Sequence, residues 1–122
     1  MKTNIFIDAC ELLPDDIEYL NSNADEKDVT FSLINTKKLL SPEFIIILIE
    51  LAKNIGYSAA YDMLKFSLSK IIGIFSKKNP KGTKKFEIVC NQNKYSLTCD
   101  FPLTQEQQDK LIDAAIKKFI EE

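Results

Sequence analysis

Residues 41–76 carry more apolar side chains than one face of a surface helix can hold. The segment opens on Phe44, Ile45, Ile46, Ile47, Leu48 and Ile49 and closes on Ile71, Ile72, Gly73, Ile74 and Phe75. A helix that is apolar nearly all round must be buried on several sides, by the chain's own sheet or by a partner. Ser41, Pro42 and Glu43 form a good helix start, with a capping hydroxyl, a proline at the first position and an acid beside the helix dipole. The β-branched run 45–49 leaves a strand open, but Glu50, Leu51, Ala52 and Lys53 continue better as helix. Gly56 is expected to end or kink that helix, and Ser58 to cap a second one reaching Phe75. Glu50, Lys53, Asn54, Asp62, Lys65 and Lys70 interrupt the segment. It therefore lacks the roughly eighteen apolar residues in a row that a membrane-spanning helix needs.

The flanking periodicities are simpler. Residues 3–9 alternate, with Ile5, Ile7 and Ala9 on one side. Pro14 suits a first helical turn, Asp15, Asp16 and Glu18 favour its positive end, and Ile17 and Leu20 face inward. Residues 28–35 alternate again, Val29, Phe31 and Leu33 inward and Thr30 and Ser32 outward. Two strands joined by a helix lie parallel. Lys77, Lys78, Asn79, Pro80, Lys81 and Gly82 read as a loop. Residues 85–90 and 94–100 form a β-hairpin pattern around Asn91, Gln92 and Asn93. With the turn near Gln92 and Asn93, the side chains of Phe86, Ile88, Cys90, Tyr95, Leu97 and Cys99 share one apolar face. Thr104 and Gln107 make a capping box ahead of Leu111, Ile112, Ala115, Ile116 and Phe119 at helical spacing. The predicted order is β-α-β-α-α-β-β-α. That is an α+β two-layer sandwich, a four-stranded mixed sheet with helices mainly on one face, in one domain over residues 1–122.

The residue inventory is thin for catalysis. There is no His, and all sixteen positive charges are Lys. The usual general base and the commonest metal ligand are both missing, as is the bidentate fork of Arg. Three cysteines, an odd number, argue against a disulfide framework and for a reducing compartment. The apolar part of the N-terminus is too short for a signal peptide, so a cytoplasmic location is expected. Net charge is −2 but uneven. Residues 1–60 hold ten acids against five lysines, and residues 61–122 hold eight against eleven.

Four groups of residues invite a functional reading. Asp8, Glu11, Asp15 and Asp16 could hold a hard cation, but the spacing lacks the glycine turn and terminal Glu of a calcium loop. A helix-start acidic run explains them better, and neither metal nor cofactor is expected. Ser67, Leu68, Ser69 and Lys70 match S-x-x-K without its companion motifs. Lys77, Lys78, Lys81, Lys84 and Lys85 would attract phosphate, but only Phe86 neighbours them for stacking, so nucleic acid is not the expected partner. Tyr57 and Tyr61 share a helical stripe with Lys65, and Ile46 and Ile47 lean toward that side. These five are the candidate partner-binding residues.

In layout, residues 4–9, 29–35, 44–75 (with Gly56, Ser58, Ala59 and Ala60) and 85–100 resemble the effector-associated constant component domains of bacterial conflict systems. The resemblance implies a non-enzymatic adaptor that brings an effector to its trigger or sensor. The expected function is accordingly protein–protein interaction, with a protein partner or homo-oligomer. The rival expectation is an immunity or inhibitor protein whose acidic N-terminal half meets a basic toxin.

Overall fold

The isoleucine run that opens the apolar segment is a strand. The computed structural model describes residues 2–24, 28–34, 43–78 and 81–121, and in it Phe44–Glu50 buries every second side chain, Ile45, Ile47 and Ile49. This corrects the helical reading of residues 44–53. Ile45, Ile46, Ile47 and Ile49 are stiff at χ1 and pack better on a pleated surface than on a helix. Both faces of the run are apolar because the strand is the middle one of five. The proposed helix start at Ser41 and Pro42 lies outside the described residues, as do Asn79 and Pro80 of the expected loop.

The strands are β1 (Thr3–Asp8), β2 (Val29–Leu33), β3 (Phe44–Glu50), β4 (Gly82–Cys90) and β5 (Asn93–Phe101), and the helices α1 (Pro14–Ser22), α2 (Tyr57–Lys78) and α3 (Gln105–Ile116). A π-helical turn, Lys117–Glu121, extends α3. The order is thus β-α-β-β-α-β-β-α, with five strands in the sheet rather than four and one long helix where two were expected. The sheet runs β2-β1-β3-β4-β5. β1 and β2 are parallel across α1, β3 and β4 are parallel across α2, and the pairs β1–β3 and β4–β5 are antiparallel. The sheet is mixed, as expected.

Local signals place the helices. Pro14 opens α1, and the Asp16 carboxylate accepts the Leu13 N–H at 2.8 Å. Helix α2 begins at Tyr57, so Ser58 sits inside its first turn rather than at its cap. It buries Ala60, Leu64, Ser67, Leu68, Ile71, Ile72, Ile74 and Phe75, a broad stripe at helical spacing. Its last turn carries Lys77 and Lys78, which complement the dipole, and Lys78 reaches Asp16 of α1 at 2.9 Å. The expected capping box opens α3: Gln107 N–H donates to Thr104 Oγ1 at 3.1 Å, and Thr104 N–H to Gln107 Oε1 at 2.9 Å. Ile112, Ala115, Ile116 and Phe119 are buried as the spacing predicts.

The core lies between helices and sheet. Ile5, Ile7, Phe31, Ile45, Ile47, Phe86 and Ile88 meet Leu64, Leu68, Ile71 and Phe75 there. Phe75 stands edge-on to Phe86 (centroids 6.2 Å apart), which stacks on Phe101 at 6.4 Å. Among the described residues one charged side chain enters this layer. Lys84, 2% exposed, points from β4 to the core side and pairs with Glu11 in the loop after β1. Expected as part of a solvated lysine loop, it is among the most buried residues of the chain.

The hairpin turn is Asn91 and Gln92, with Cys90 opposite Asn93, two residues out of the register expected from a turn at Gln92 and Asn93. A shift of two keeps the faces, so both hairpin thiols lie on the core side, and Cys10 is exposed. Burial pushes Cys90 and Cys99 from 9.0 up to about 11, with Asp100 adding to the effect at Cys99. The unfolded chain releases these protons near pH 9 and the folded chain only near pH 11. Between those values the native state binds more protons, so stability falls as pH rises through that window. Thiol titration at neutral pH is expected to find Cys10 reacting fast and the other two only after unfolding. Rapid reaction of all three in the native protein would contradict the burial.

Candidate functional site

The helices cover one phase of every strand, and the other phase forms a second face that no described helix covers. Its side chains are half-buried or exposed along β1, β3, β4 and β5. Strand register sets them in rows. Ser32, Phe6, Leu48, Val89 and Lys94 form one row across all five strands, and Asp8, Ile46, Glu87 and Ser96 form the next. Phe44, Lys85 and Thr98 make a third. The middle of this face is therefore apolar: Phe6, Ile46, Leu48 and Val89 adjoin one another, and Phe44, 40% exposed, stands at the end of β3.

Charges rim this apolar stripe. Glu50 and Asp8 mark the two ends of the β1–β3 pairing. On the β4–β5 side Lys94 pairs with Glu87, and Lys85 lies 3.9 Å from Glu43 with its ammonium 5.2 Å from the Phe44 ring centre. Thr83 donates a hydrogen bond to Asp100 at 2.6 Å. Beside Phe44 a shallow depression of about 470 Å³ is lined by Lys85, Glu87, Ser96 and Thr98. The face thus combines a contiguous apolar centre with a charged rim.

The sequence-derived candidates separate in space. Ile46 lies on the open face, half-buried. Ile47 points the opposite way and is fully buried, because neighbouring strand residues alternate where helical neighbours would not. Tyr57, Tyr61 and Lys65 belong to α2, in the helical layer. Tyr61 donates a hydrogen bond to Asp113 of α3 at 3.2 Å, and the Lys65 ammonium lies 6.0 Å from its ring, so Tyr61 joins two helices. Tyr57 is 54% exposed beside a groove that includes Ile55 and Ile120. The expected composite patch does not assemble. Phe6 and Val89 were missed, though each is an apolar residue on the polar phase of its strand, Phe6 between Asn4 and Asp8.

The chemical candidates disperse as well. Asp16 caps α1 and pairs with Lys78, and Glu11 pairs with Lys84. Among the described residues no three His, Cys, Asp or Glu side chains gather where they could hold a metal ion. Ser67 is buried without a hydrogen-bond partner among the described residues, while the Lys70 ammonium lies 5.8 Å from the Phe66 ring. The S-x-x-K spacing therefore brings no base to its serine. The lysines of residues 77–85 divide between the end of α2, the core and the open face, so they form no single basic surface. No described helix is long and apolar enough to cross a membrane. Comparison with known proteins finds no matching family model, no matching curated protein and no matching solved structure.

Proposed function

We propose that this chain is a non-enzymatic protein-binding module that engages its partner through the open face of the sheet, centred on Phe6, Ile46, Leu48 and Val89. The observation that carries the reading is a five-stranded sheet that, among the described residues, is covered by helices on one side only, with an apolar centre on the other. The partner has an apolar contact surface with a basic rim, to match Asp8 and Glu50. The setting proposed with it, an adaptor in a bacterial conflict system, rests on the resemblance of the sequence layout alone.

The test uses tagged protein to capture its partner from native cells, followed by affinity measurement with variants. Leu48→Lys and Val89→Lys place a charge in the apolar row and are expected to weaken binding at least about tenfold, near 1.4 kcal/mol. Tyr57→Ala, in the other layer, is expected to bind as wild type. Wild-type affinity in folded Leu48→Lys and Val89→Lys would remove the open face from consideration.

The inhibitor reading draws on Asp8 and Glu50 being on the same face. Of the other described acids of the N-terminal half, Asp15, Asp16 and Glu18 lie on α1, Glu11 pairs with Lys84 and Glu43 lies near Lys85. An association rate that falls steeply with salt would favour that reading, and a flat one would end it.

A further inference from the structure

The two edges of the sheet are finished differently. At the centre of the β2 edge the Asn21 side chain of α1 occupies the peptide groups of Phe31, where a further strand would bond. Phe31 N–H donates to Asn21 Oδ1 at 2.8 Å, and Asn21 Nδ2 donates back to the Phe31 carbonyl at 2.9 Å. At the opposite edge β5 is nine residues long, contains no proline and pairs only with β4 among the described residues. A strand edge of that kind is a template for another strand.

The hairpin fixes which peptide groups of β5 face outward. Cys90 and Asn93 flank a two-residue turn in which Asn91 adopts a positive φ of 57°. A pair that closes such a turn exchanges hydrogen bonds, and the pattern then alternates along the strand. The peptide groups of Tyr95, Leu97 and Cys99 are thereby turned to β4, and those of Lys94, Ser96, Thr98 and Asp100 to the free edge.

We propose that the chain forms a symmetric homodimer by antiparallel pairing of two β5 edges about Leu97. In this register Lys94 faces the partner's Asp100, Ser96 faces the partner's Thr98, and Leu97 meets its own copy at the two-fold axis. All outward peptide groups of residues 94–100 are then opposite one another. Both ends of the pairing carry an opposite-charge contact, because symmetry repeats the Lys94–Asp100 pair. A slip of two residues in either direction leaves both charges without an opposite across the seam. Tyr95 and Leu97, only half-buried by the chain's own helices, gain cover across the seam. This inference concerns the edge and stands apart from the reading of the open face, which pairing would extend continuously across two copies.

Sedimentation velocity on the full chain at about 100 μM tests it. The expected mass is twice 13.9 kDa. Lys94→Asp and Asp100→Lys are each expected to weaken dimerisation at least tenfold, and the two together to restore it, with circular dichroism reporting the fold in each case. A second probe is Leu97→Cys in a Cys10→Ser background. Cα atoms of a non-hydrogen-bonded pair are about 4.5 Å apart, within reach of a disulfide, so oxidation is expected to cross-link the pair. A monomeric wild type, a dimer indifferent to both charge reversals, or a dimer that Leu97→Cys fails to cross-link would overturn the proposal.

Discussion

Phe75→Ala is expected to lower the unfolding free energy by about 3–5 kcal/mol, the range for truncating a fully buried aromatic. Phe75 is 0% exposed and stands where α2 meets the sheet, edge-on to Phe86, which stacks on Phe101. Losing the ring removes its transfer energy, leaves a cavity between helix and sheet, and deletes an edge-to-face contact worth about 0.5–1.5 kcal/mol beyond its area. Phe75→Leu fills most of the space and should cost about 1–2 kcal/mol. Urea unfolding measures both. With a slope of about 1–3 kcal/mol per molar, the alanine midpoint should move by at least about 1 M. A shift close to zero would mean that α2 is not seated on β4 as described.

The second large effect belongs to the buried ion pair. Glu11→Ala leaves the Lys84 ammonium in the core layer without that carboxylate, and stability is expected to fall by about 2–4 kcal/mol. The lower part of the buried-pair range applies because Glu11 keeps 22% of its side-chain surface in contact with water. Lys84→Met should change stability little, since a hydrophobic side chain of similar length suits the same place. The decisive comparison is Glu11→Ala in the Lys84→Met background, where the cost should drop below about 1 kcal/mol. An undiminished cost there would assign the importance of Glu11 to its loop and not to its charge.

The elements that were legible in the sequence are those whose signals are local. Alternation in β4 and β5 on either side of Asn91, Gln92 and Asn93, the Thr104 and Gln107 capping box, and Pro14 ahead of an acidic turn each occupy a few adjacent residues, although the hairpin register itself was legible only to within two residues. β3 was hidden because a central strand of a sheet is apolar on both phases, which erases the period of two. Its length of seven residues, stiffened by four isoleucines, was the remaining signal. The same misreading misplaced the candidate site. A helical wheel puts Ile46 and Ile47 near Tyr57 and Tyr61, whereas a strand sends the two isoleucines to opposite faces. Lys84 could not be found locally at all, because Glu11 lies seventy-three residues away in sequence.

Asn21 has a consequence for how far assembly can proceed. By occupying the backbone groups of Phe31 it interrupts the β2 edge at its centre and leaves β5, among the described strands, as the uninterrupted adhesive end. A unit with one such end has a valence of one. Edge pairing then closes at two copies and cannot polymerise. Were both ends adhesive, the same hydrogen-bonding chemistry would propagate copy after copy into a fibre. One amide on a nine-residue helix thus separates a finite assembly from an endless one.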